Sequence, residues 1–336
     1  MEKTQTSKFG VLADGQEVFR HVISNGSGLE LHVLNYGCII NKLIVPAASG
    51  KVDVVLGFDT VEDYVKAHSL PAPPYFGAVI GRYSGRINKG HLKLNSIDHQ
   101  LNINNNSHTL HGGVTGFDQK IFRVTSLEES AITLEYVSRD GEEHFPGELH
   151  LSVRYSINDN NQVVIDYHAV SDKDTYVNVT QHSYFNLDGH KNDLSNQKLT
   201  IDAKNIIEID QENIPTGKLI PAGEKEFDFM NPRAIPHKID DSFIVENTQK
   251  PIATLESEQS HIKMTVISDQ PSLHIYVGGN LFGQLKGKDG FEYHDYSGIC
   301  FESQNYPDAP NQPDFPSALL RKGKSYRQLT SWNFEF

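Results

Sequence analysis

Glu302 lies in the run Gly298-Ile-Cys-Phe-Glu-Ser-Gln-Asn-Tyr-Pro-Asp-Ala309. Read as a strand, the period of two puts Cys300, Glu302 and Gln304 on one face and Ile299, Phe301 and Ser303 on the other. A carboxylate beside Phe301 and Cys300 is costly unless a reaction uses it or a partner neutralises it. Two readings follow: a functional carboxylate, or a core carboxylate held by an arginine or by backbone N–H groups. The run breaks at Tyr306-Pro-Asp-Ala-Pro-Asn-Gln-Pro313, a turn-forming segment that ends a strand. The carboxylate therefore sits near a strand end, where rigid β-structure can open to a substrate.

Three further segments carry groups suited to a site. In Tyr176-Val-Asn-Val-Thr-Gln-His-Ser-Tyr-Phe-Asn-Leu187, alternation sends Val177 and Val179 inward and puts Asn178, Thr180, His182 and Tyr184 on one opposite face, either solvated or lining a cleft. In Asn106-Ser-His-Thr-Leu-His-Gly-Gly113, the double glycine lets backbone and ligand approach closely at His111. The spacing His108-x-x-His111 also admits a metal reading, with Glu302 completing a facial triad, though such spacings arise by chance in a chain with 16 histidines. Gly81-Arg-Tyr-Ser-Gly-Arg-Ile-Asn-Lys-Gly90 supplies Arg82 and Arg86 on a tight loop that is not a phosphate-cradling fingerprint. One of these two arginines is read as structural.

The elements that must position these groups are strands. Leu29–Leu34, Cys38–Val45, Ile132–Val137, Leu149–Tyr155 and Gln162–Ala169 alternate or are rich in β-branched and aromatic residues. Turns are expected at Asn25-Gly26, Asp140-Gly141 and Asp159-Asn160. One short helix is predicted after Thr60, its N-cap, through Ala67. Ser69-Leu-Pro-Ala-Pro-Pro-Tyr75 reads as an extended connection. Strand after strand without interleaved helices implies an all-β chain, a large sandwich or barrel with few short helices. No linker or repeat divides it, so residues 1–336 are expected to form a single domain.

Composition narrows the partners. A net charge of −13 disfavours nucleic acid, an anionic membrane or a highly charged phosphate, and favours a neutral small molecule. The first residues hold no apolar core for a signal peptide, no apolar run approaches a membrane span, and Cys38 and Cys300 read as buried free thiols. The expectation is a cytoplasmic protein without membrane contact.

Together these segments resemble the galactose mutarotase (aldose 1-epimerase) family. Gly81–Ile87 resembles its glycine–arginine loop, Thr109-Leu-His-Gly-Gly113 with Gly116-Phe117 its histidine loop, Thr180–Leu187 its second histidine strand and Gly298–Ala309 its catalytic-glutamate segment. Asn35-Tyr-Gly37, Leu56-Gly-Phe58 and Asp269-Gln-Pro271 match more weakly, so the resemblance runs from about residue 35 to the C-terminus. It implies a large antiparallel β-sandwich of the galactose mutarotase-like supersandwich type. It implies Glu302 as general base, His182 as general acid, His111 as a partner at the ring oxygen, and Arg86 and Asp240 as holders of sugar hydroxyls. The chain departs from the pattern at Asp241, where the family usually has His, at His274, where many members carry Gln, and at Gly85, where many carry Asn. The last two also count as substrate-binding positions; loss of the Asn side chain is expected to open space beside the sugar.

The chemistry implied is ring opening of a cyclic hemiacetal and reclosure on the other face of C1. It needs a base for the C1-hydroxyl proton and an acid at the ring oxygen, expected on opposite sides of the anomeric centre, and no cofactor or metal. Glu302 and His182 are expected to hold each other in the carboxylate and imidazolium forms. Tyr184, Phe117 or Tyr306 is expected against the apolar face of the sugar. The rival readings are a non-catalytic sugar-binding module, a hexose-phosphate epimerase drawing on Lys286-Gly-Lys288, and a metal enzyme using His108, His111 and Glu302. Glucose and galactose are the substrates expected, on a monomer or homodimer.

Overall fold

A computed structural model of the chain describes residues 5–278 and 285–336. Strands form three main antiparallel sheets. A five-stranded meander runs from Gln5–Val11 to Gly50–Asp53 in chain order. A nine-stranded sheet is centred on Leu149–Ile157, Gln162–Ser171 and Ser325–Glu335. A six-stranded sheet runs in the order Tyr184–Phe185, Ile299–Gln304, Ser272–Val277, Ile239–Ile244, Asn205–Ile209, Pro215–Pro221.

The predicted strands form because their alternation is satisfied. Leu149–Ile157 buries every second residue, with Val153 and Tyr155 in the core and His150 outside. The turn at Asp159-Asn160 is closed by Asn158, whose Oδ1 accepts from the N–H groups of Asn160 and Gln162, and Asn161 takes the left-handed conformation that the turn requires. Asn25 closes the first turn likewise, accepting from Ser27 and Leu29. At Asp140-Gly141 the connection is longer than the tight turn predicted: residues 139–148 include a 3₁₀ turn, with Asp140 Oδ1 accepting from Gly147 N. Helix Val61–Ala67 is capped by Thr60 as its sequence predicts.

The six- and nine-stranded sheets pack face to face as a sandwich, the arrangement expected of two sheets that each carry one apolar face. Phe185 of the smaller sheet packs edge-on against Trp332 of the larger with ring centroids 4.8 Å apart, and Phe301 packs beside Phe185 at 6.0 Å. Because strand residues alternate, burying Phe301 turns Glu302 to the opposite face. The strand Ile299–Gln304 is buried on both faces, so a further layer of loops must cover that opposite side.

Candidate active site

The outward face of the six-stranded sheet is a floor of polar groups set by register. Across the strands, His274 lies opposite Glu302 and Ser242 opposite His274. In the adjoining row, Tyr184 and Tyr276 flank Cys300, and Asp240 lies opposite Tyr276. Above this floor is a cavity of 420 Å³ walled by Gly85 and Arg86, by the segment holding Asn104, Leu110 and His111, and by Leu70–Pro73 and Tyr75. It has the size of a small-molecule site.

At the floor's edge His182 Nε2 stands 3.4 Å from Glu302 Oε1. Glu302 is 2% exposed, and its Oε2 has no hydrogen-bond partner among the described residues. His182 Nδ1 faces Cys300 Sγ at 3.6 Å. The two groups are side by side rather than on opposite sides of an empty centre, which corrects the expected arrangement. That placement suits two oxygens bonded to one carbon. Burial holds the His182 pKa below its ordinary value; Glu302 pulls the other way but does not prevail. The expected pull of Glu302 towards the imidazolium is present, but the expectation that the pairing holds His182 charged is corrected, because desolvation is the larger effect.

His111 closes the group, its ring 5.5 Å from that of His182. Its Nδ1 accepts the backbone N–H of Gly85 at 3.2 Å, and burial together with the charges of His182, Arg86 and His274 pushes its pKa well down. His111 is thus neutral, with its proton on Nε2. Tyr75 packs edge-on to His111 at 4.9 Å and over His182 at 5.7 Å.

Farther along the floor, His274 Nε2 donates to Asp240 Oδ1 at 3.1 Å, and Ser242 Oγ lies 2.9 Å from His274 Nδ1. Burial works against both charges, yet their pairing, with Glu302 beside His274 and Arg86 beside Asp240, raises the histidine and lowers the aspartate. Arg86 donates from Nε to Asn105 Oδ1 at 3.2 Å. Arg82 is the structural arginine: it is buried against Phe145, and its terminal nitrogens serve Pro146 O, Gly147 O and the Ser138 hydroxyl.

Comparison with known proteins gives this geometry its family. Residues 20–332 match the family model described as aldose 1-epimerase. The chain is 37% identical to galactose mutarotase of Mus musculus over 97% of each chain. It superposes on a GalM/aldose epimerase homologue from C. elegans with a TM-score of 0.87 at 28% identity, covering 94% of this chain and 98% of that one. For galactose 1-epimerase from Lactobacillus acidophilus the TM-score is 0.85 at 25% identity, covering 100% and 99%. The chain belongs to the aldose 1-epimerase family.

Every residue singled out for this aldose 1-epimerase site (Glu302, His182, His111, Arg86, Asp240, Tyr184, Gly85 and His274) borders the one cavity. Other expectations are corrected. The run 176–187 is not one strand but three two-residue pieces, because its polar groups are needed elsewhere. Asn178 accepts from Asn305 N and Thr180 donates to Ser303 O, so neither lines the cavity. His108 is buried under Lys89 N and is not among the cavity residues; the trio whose ligand atoms lie within 4.8 Å of one another is His111, His182 and Glu302. Phe117 packs into the core against Phe122, and Tyr306 against Phe315. Lys288 is buried on Asp53, Asn41 O and Val55 O. Gly85 has a φ of +76°, and a Cβ there would meet Pro307 Cβ at 2.8 Å, so its missing side chain is filled by Pro307 rather than left as space for sugar.

Sequence reasoning missed Tyr75, Tyr276 and the lip Leu70–Pro73. The proline-rich stretch before Tyr75 was the available signal, since a stiff segment can hold an aromatic ring over a site. No helix among the described residues is long and apolar enough to cross a membrane.

Proposed function

We propose that this aldose 1-epimerase interconverts the α and β anomers of aldohexoses with Glu302 as base and His182 as acid. The observation that carries the reading is the unpartnered Oε2 of buried Glu302, next to an imidazole 3.4 Å from its other oxygen. A carboxylate oxygen without a protein partner is free to take the proton of the C1 hydroxyl. As that proton leaves, the bond from C1 to the ring oxygen breaks, and the ring oxygen takes a proton from His182 Nε2. Rotation about C1–C2 presents the other face of the aldehyde. The ring oxygen then attacks C1 while returning its proton to His182, and Glu302 returns its proton to the former carbonyl oxygen. Protons balance over the cycle, and each transfer contributes ~10²–10⁴ in rate. Burial of His182 makes its imidazolium a stronger donor, while Glu302 limits the loss of the protonated form.

His111, with Nε2–H toward the cavity, is a fixed donor to the ring oxygen as it acquires charge. Arg86, Asp240 and His274 hold hydroxyls remote from C1, and Tyr184, with Tyr276 across Cys300, offers the floor an apolar face.

Two observations favour this reading over its rivals. A binding module has no need of a buried carboxylate in contact with an imidazole. A phosphate would need converging cations, whereas Arg86 is the only Lys or Arg among the described residues lining the cavity. The test is polarimetry of freshly dissolved α-glucose and α-galactose with and without protein, in buffer containing EDTA. Faster approach to the same final rotation is expected for both sugars. No acceleration overturns the reading, and activity that EDTA abolishes and one divalent ion restores would replace it with metal chemistry on His111, His182 and Glu302.

A further inference from the structure

Gln304 follows Glu302 by two residues and faces the same cavity, yet it is 1% exposed and its Oε1 has no hydrogen-bond partner among the described residues. Its backbone is fixed. Ser272 Oγ donates to Gln304 O at 2.8 Å, and the next residue's N–H donates to Asn178 Oδ1 at 2.8 Å. The Nε2 end lies beside the arginine loop, 3.8 Å from where a Cβ on Gly85 would sit. A buried carboxamide oxygen left unpaired costs about 1–3 kcal/mol, which a ligand supplying a donor would recover.

A carboxamide offers one acceptor and two donors in a single plane, so it can take a proton from one hydroxyl and give one to its neighbour. Two strand residues span about 6.6 Å. With C1 at Glu302, Gln304 therefore reaches the far side of a pyranose, where the 3- and 4-hydroxyls lie. We propose that Gln304 is a substrate-binding residue that clasps the vicinal 3,4-hydroxyl pair beside Arg86. The inference rests on the placement of C1 at Glu302 and deepens it. It also predicts tolerance at C4: vicinal hydroxyls of a chair are gauche whether both are equatorial or one is axial. A group that reads the pair by its separation accepts glucose and galactose alike.

The test compares wild type with Gln304→Ala and Gln304→Met on glucose, 3-deoxyglucose and 4-deoxyglucose by polarimetry. For glucose, KM should rise about tenfold in both variants with kcat changed less than about threefold, the signature of a lost hydrogen-bonding group that does not act in the chemical step. The deoxy sugars, already weaker on wild type, should lose less than about threefold further. The thermal midpoint of Gln304→Met should not fall, since the removed oxygen has no protein partner among the described residues and the side-chain volume is kept. An equal loss on all three sugars, or a fall in kcat at unchanged KM, overturns the proposal and makes Gln304 a support for Glu302. Wild type inactive on every aldose would instead bring down the acid–base reading and this inference with it.

Discussion

Replacing Glu302 with Gln should remove most of the activity and leave the protein at least as stable. The side chains are isosteric, so the strand Ile299–Gln304 and its register with His274 persist. An amide cannot take the C1-hydroxyl proton, which removes ~10²–10⁴ in rate on the usual scale of general base catalysis. The effect reaches His182 as well. Glu302 is the leading influence holding that imidazole's pKa up against burial, so its loss leaves less of the protonated donor. A fall in kcat/KM of at least a hundredfold follows, about 3 kcal/mol or more of transition-state stabilisation. Stability moves the other way. Glu302 is buried with one oxygen unpartnered, and exchanging a carboxylate for a neutral amide relieves a desolvation cost on the order of 1–3 kcal/mol. Polarimetry with α-glucose and thermal denaturation of the same preparations read the two effects. A folded variant with more than about a tenth of wild-type rate would show that Glu302 is not the base. A clearly lowered melting temperature would show that it is a structural carboxylate.

His182→Asn should cost kcat about as much as the Glu302 change, whereas His111→Asn should cost less; the reverse order in polarimetric rates would exchange acid and supporting donor. Wild type should turn over glucose and galactose with kcat/KM values within about a hundredfold of each other. His274→Gln, which breaks the ion pair with Asp240, should widen that ratio, and an unchanged ratio would remove His274 from the pocket's discrimination. Stability should fall on acidification below pH 6.5, partly through His32, whose pKa burial and then Arg20 bring down to about 4. The unfolded chain takes up that proton near 6.5 and the folded chain does not until about 4, so stability present above 6.5 is lost across this window at up to about 1.4 kcal/mol per pH unit. Urea midpoints at pH 7 and pH 5 should therefore differ less in His32→Gln than in wild type, and an equal difference in both would refute the assignment.

What could be read from the chain depended on whether a residue's partners are local. Period-two alternation fixed the face of Glu302 because burying Phe301 and exposing Glu302 to the cavity are one choice. The strand pairs on either side of Asn158 and Asn25 were legible because each turn is closed by its own Asn side chain. The run 176–187 was not, since its alternation is real but its polar groups answer distant demands: Asn178 serves Ser84 and Asn305, and Asn186 serves Asn192 and Ser297. His108 and His111 show the same limit at a spacing of three. Each ring accepts one backbone N–H, from Lys89 and from Gly85, yet only the second borders the cavity. The balance at His182 was hidden for a related reason. A neighbouring carboxylate can be inferred from sequence, but the burial that outweighs it needs Tyr75 and His111 from the loops and Tyr184, Tyr276 and Cys300 from the sheet, which only the tertiary fold brings around the ring. Desolvation lowers the His182 pKa and Glu302 only partly offsets it, so the side chains that close over this imidazole matter to its charge as much as the carboxylate beside it.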